Sequence, residues 1–83
     1  MLIFPGRRIE LTRVGDREIS TVELPRFPGD PVRFETCIFP DSAPSHVVAQ
    51  YVTEAEAQSQ HRALVEHEQK HLVAKLQHMQ TLS

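Results

Sequence analysis

His67-Glu68-Gln69-Lys70-His71 is a literal HExxH pentapeptide in a chain of 83 residues. On a helix, two histidines four apart share a face and can hold one Zn²⁺, while the glutamate activates the metal's water. Three features of the surrounding sequence oppose that chemistry. His61, His67, His71 and His78 crowd into eighteen residues, so the pattern arises by chance more readily here than in average sequence. Lys70 places a cation where Zn²⁺ would sit nearby. A third ligand is also required, yet no Asp or Glu follows Glu68. His78 lies about 16 Å from His67 along a straight helix, too far for metal–nitrogen bonds of about 2 Å. A ligand from the sheet or loops, such as His46, could still complete a set. The first expectation is therefore a non-enzymatic protein without a cofactor. The alternative is a zinc-binding protein holding metal at His67 and His71, or at the extreme a minimal metallopeptidase using His67, Glu68 and His71.

No other arrangement suggests catalysis. Cys37 is the only cysteine and sits in an apolar run, where it reads as a small core residue rather than a nucleophile. Pro28-Gly29-Asp30 is too short to cradle a phosphate. The formal net charge of -2 removes the electrostatic footprint of a general nucleic-acid binder. Arg7, Arg8, Arg13 and Arg17 are offset by Glu10, Asp16, Glu18 and Glu23, which gives a mixed-charge surface. A lone cysteine suits a reducing cytosol. Met1-Leu2-Ile3-Phe4 is too short for a signal peptide, and no stretch reaches the length of a membrane span. Neither nucleic acid nor membrane is expected as a partner.

The elements that must carry these residues follow from their periodicities. Arg8–Val14 and Arg17–Leu24 flank Gly15-Asp16, a two-residue hairpin loop. Pairing across it sets Arg13 opposite Glu18, Leu11 opposite Ser20 and Ile9 opposite Val22. That register collects Ile9, Leu11 and Val22 with an ion pair on one face. The proline-rich run Pro25–Pro31 is a loop, Phe34–Phe39 a third strand, and Pro40–Ser45 a turn. His46–Val52 is a fourth strand, with Val47, Ala49 and Tyr51 on one side and Val48, Gln50 and Val52 on the other. Thr53-Glu54-Ala55-Glu56 is a capping box that opens one helix of about 29 residues, roughly 43 Å long. The expected fold is α+β, a single domain over 1–83: a small antiparallel sheet of three to four strands in 1–52, packed by a long C-terminal helix over 53–82.

At 100° per residue, Ala57, Leu64, Val65, Leu72, Leu76, Met79 and Leu82 fall within one arc of the helix. His61, Glu68 and Lys75 lie inside that arc at seven-residue spacing, and His67, His71 and His78 line its edge. In heptad terms a parallel pair would stack Glu68 on Glu68 and Lys75 on Lys75; an antiparallel pair would bring Glu68 to Lys75. A small sheet cannot cover so long a stripe. Val65, Glu68, Leu72, Lys75, Leu76, Met79 and Leu82 are accordingly the candidate interface for a protein partner or a second copy, with the sheet held by Ala57 to Val65.

Glu35-Thr36-Cys37-Ile38-Phe39, then Tyr51-Val52-Thr53-Glu54-Ala55-Glu56-Ala57 and His61, resembles small uncharacterised proteins of actinobacterial phages. Those share an E-T-hydrophobic-F strand, an aromatic-x-T cap, an E-A step and a histidine on the same helix. The resemblance spans about residues 33 to 65, with Gln60 where those proteins often carry Gly. It implies a phage or prophage origin, a strand–strand–helix core, and a packing role for His61 at the helix–sheet junction. It carries no activity. The setting it suggests is the cytoplasm of a bacterial host or a virion, as an assembly component or a modulator of a host protein.

Overall fold

A computed structural model describes residues 7–26 and 28–82, with Thr81 and Leu82 described through their backbone alone. Strands β1 (Arg8–Val14), β2 (Arg17–Glu23), β3 (Phe34–Pro40) and β4 (His46–Tyr51) precede helix α1 (Glu54–Leu82). The strands form one antiparallel meander in the order β1-β2-β3-β4. The α+β class and the antiparallel sheet packed by one C-terminal helix are as the sequence patterning requires.

Gly15 opens the β1–β2 turn with φ of +60°, a conformation that costs glycine nothing and suits the first position of a type II′ loop. Arg13 pairs with Glu18 and Leu11 with Ser20, but a bulge at Ile9 sets Arg8, not Ile9, opposite Val22. The extra residue turns Ile9 towards the helix, where it packs on Phe34, Tyr51 and Ala57. Leu11 and Val22 stay on the far side of the sheet with the Arg13–Glu18 pair (4.0 Å). Leu11 is 44% exposed, so the face that looked apolar in β1 is the open one.

A second bulge corrects β4. Val47 pairs with Cys37 and Ala49 with Thr36, so Val47 and Ala49 lie on opposite faces. Cys37 likewise belongs to the open face and is half-buried there, outside the core between sheet and helix.

That core has two lobes. Val14, Ile19 and Ile38 pack with Leu64, Val65 and Leu72 near the hairpin tip. Phe34, Tyr51 and Ala57 close the other end with Ile9 and Ala49. Thr53 caps α1, accepting from the Glu56 N–H at 3.2 Å, while the Glu56 carboxylate reaches back to the Val52 N–H at 3.5 Å. From there α1 crosses the sheet to the hairpin tip, where Leu72 lies so close that a Cβ on Gly15 would sit 3.1 Å from its Cδ2. Among the described residues, no helix is long and apolar enough to cross a membrane.

Candidate functional site

The HExxH residues do not converge. His67 and His71 are exposed, one helical turn apart. Glu68 turns instead toward β2, where Arg17 Nη1 donates to its carboxylate at 2.8 Å; the Glu68 side chain is only 12% exposed. A glutamate turned to a guanidinium on β2 is not aimed at an ion between the two imidazoles. His46 is exposed at the start of β4, and His78 on the last turns of α1. No cluster of three or more His, Cys, Asp or Glu is grouped to hold a metal among the described residues. His71 does border a small cleft, about 60 Å³, between the hairpin tip and the helix, lined also by Asp16, Arg17, Glu68 and Lys75.

His61, like Glu68, finds its partners in the sheet. His61 is fully buried. Its Nδ1 lies 2.7 Å from Thr21 Oγ1 and its Nε2 lies 3.0 Å from Thr12 Oγ1. Thr21 in turn shares a 2.5 Å hydrogen bond with Thr36. Glu10 stands 3.6 Å from His61 Nε2, its other oxygen 3.6 Å from Arg62. Burial pushes the imidazole below its ordinary value; Glu10 opposes that and Arg62 adds to it.

Threonine, histidine and glutamate together suggest a nucleophilic triad, but the geometry does not form one. A relay needs the acid and the nucleophile on opposite ring nitrogens. Here Glu10 and Thr12 share Nε2, and Thr21 on Nδ1 is fully buried beneath the helix. The network satisfies polar groups inside the core and locks the helix onto β1, β2 and β3.

The resemblance implies a packing role for His61 at this junction, but Thr12, Thr21 and Thr36 and the Arg17–Glu68 pair are not anticipated by it or by the sequence pattern. A signal existed: His61 and Glu68 lie within an apolar helical stripe, and a polar group there must find a partner.

Of the N-terminal arginines, Arg7, Arg13 and Arg17 meet carboxylates as the mixed-charge sequence indicates, and Arg8 meets none among the described residues. Arg7 meets Glu23 at 3.4 Å and Glu54 at 2.7 Å, and Arg13 meets both Glu18 and Asp41. Cys37 has its thiol pushed up to about 11, by burial first and then by Glu35, which leaves it a poor nucleophile at neutral pH.

Of the candidate interface, Val65 and Leu72 pack on the core and Glu68 is held by Arg17. The helix therefore leaves the sheet after Leu72 rather than after Glu68. Beyond it Lys75 is exposed, Leu76 is 49% exposed, Met79 is 56% exposed, and Val73, on the flank, is 52% exposed. The Leu82 side chain lies outside the described residues. Comparison with family models, curated proteins and solved structures finds no match.

Proposed function

We propose that this chain is a small non-enzymatic interaction or assembly protein that engages another protein through the end of α1. One observation carries the reading. About ten residues of helix, some 15 Å, continue past Leu72, which packs on the buried core, with Leu76 and Met79 still aligned on the core-facing arc and about half exposed. An apolar stripe that its own sheet does not reach is what a contact surface looks like. The phage-like segment gives this role a setting, either a virion component or a protein directed at a host factor.

The test is a photo-activated cross-linking residue placed at position 76, compared with one at exposed Ser59 on the back of the helix. In cells making the protein, position 76 should give a discrete protein adduct and position 59 none. No adduct at 76, or the same adducts from both positions, contradicts the reading.

Zinc remains a second reading because His67 and His71 stand exposed at i, i+4 spacing. Arg17 on Glu68 speaks against the hydrolytic form of it.

A further inference from the structure

The open face of the sheet has an organisation of its own. In register across all four strands run Leu11, Ser20, Cys37 and Val47, a stripe without a charge. Val22 and Phe39 extend it on either side, and Phe39 is 44% and Val47 52% exposed. Charged residues flank the stripe: Arg8 and Glu35 at one level of the strands, Arg13 and Glu18 at the other. Arg13 and Glu18 satisfy each other. Among the described residues Arg8 meets no carboxylate, and Glu35 is met only by the neutral Gln50 amide (3.1 Å) and the Cys37 thiol. An apolar centre inside a polar rim is the anatomy of a specific interface.

We propose that this face is covered by the same face of a second copy, giving a back-to-back dimer of sheets. Four strands about 4.8 Å apart and seven residues at about 3.3 Å present roughly 19 by 23 Å. Two such faces close on the order of 1,000 Å² of accessible surface once side-chain relief is included, the threshold for a specific interface. Charge then selects the symmetry. A two-fold axis across the strands would lay Arg8 over Arg13 of the second copy. A two-fold axis along the strands lays β1 over the second copy's β4 and brings each Arg8 onto the opposite Glu35–Gln50 pair. Only the second arrangement gives the two unmatched charges partners. Aligned sheets at about 30° are also the common geometry for sheet-on-sheet packing. The same axis leaves both α1 ends projecting at one end of the dimer, a bivalent presentation of the helix surface.

Sedimentation equilibrium tests this. The full chain should weigh as a dimer. Leu11→Glu or Phe39→Glu should weaken association by at least about tenfold with the far-UV spectrum and Tm retained, because both side chains are already half exposed. Arg8→Glu and Glu35→Arg should each weaken it by about tenfold, and the two together should restore it to within about threefold. Leu76→Glu should leave it unchanged, which separates this dimer from any association through the helix. A monomer at every concentration overturns the proposal, whether the face stays open or the chain's own Met1–Phe4 covers it. A dimer that survives Leu11→Glu and Phe39→Glu overturns it as well, and so does a double charge variant no better than either single one.

Discussion

His61 is the residue on which the packing of helix to sheet turns, because one imidazole serves hydroxyls from two strands at full burial. Replacing it with alanine opens a cavity and strands Thr12 and Thr21, which should cost about 2–4 kcal/mol by denaturant titration. Its titration adds a pH dependence whose sign is fixed. Burial lowers the folded-state value below the ordinary 6.5, so the unfolded chain takes up the proton first. This contribution to stability is complete above pH 6.5 and is lost as the pH falls through the folded value, at no more than about 1.4 kcal/mol per pH unit. Urea midpoints from pH 8 down to 5 should show that slope in the wild type, and His61→Ala should flatten it. The Arg62 charge reinforces the shift while Glu10 resists it, so Glu10→Gln should steepen the loss. For His67 and His71 the expected outcome is different: zinc added to untagged protein should leave Tm within about a degree. A saturable rise that disappears in His71→Ala would establish a metal site there.

The capping box, the Gly15 turn and the strand spans to within about a residue were legible because each depends on local chemistry. Removing the Thr53 cap should cost about 1 kcal/mol. Gly15→Ala should cost more, about 1–2 kcal/mol for the left-handed backbone, with the approach of Leu72 added. What sequence could not show was which face of the hairpin meets the helix. Residues 9, 11 and 22 form a plausible apolar set, but Ile19 on β2 and Phe34, Thr36 and Ile38 on β3 settle the choice from outside the hairpin. The bulges at Ile9 and before Ala49 then break strict alternation, and nothing in a one-dimensional pattern announces an unpaired residue. The length of helix that the sheet covers was underestimated for a related reason. Crossing the sheet from Ala57 to the hairpin tip brings Glu68 and Leu72 into contact with β2 and the turn. Leu72→Ala should therefore lose about 1–3 kcal/mol, while Leu76→Ala in dilute protein should lose less than about 0.5.

The whole molecule is elongated, 55 × 30 × 16 Å, with a radius of gyration of 15.2 Å against the roughly 12 Å of a compact chain this long. The excess comes from α1, whose first two-thirds complete the core and whose residues 73–80 are all exposed. Such a shape suits a protein that acts by being held, and two unfilled apolar surfaces, one on the helix end and one on the sheet, are where it would be held. Backbone hydrogen–deuterium exchange along α1 in dilute protein tests the division of the helix most directly. Amides from about Ala57 to Leu72 should exchange only through global opening. Those from Val73 to Leu82 should exchange orders of magnitude faster, and gain protection once the cross-linked partner is bound. Uniform protection through Leu82 in the isolated chain would contradict the account, because the helix end would then need nothing beyond its own fold.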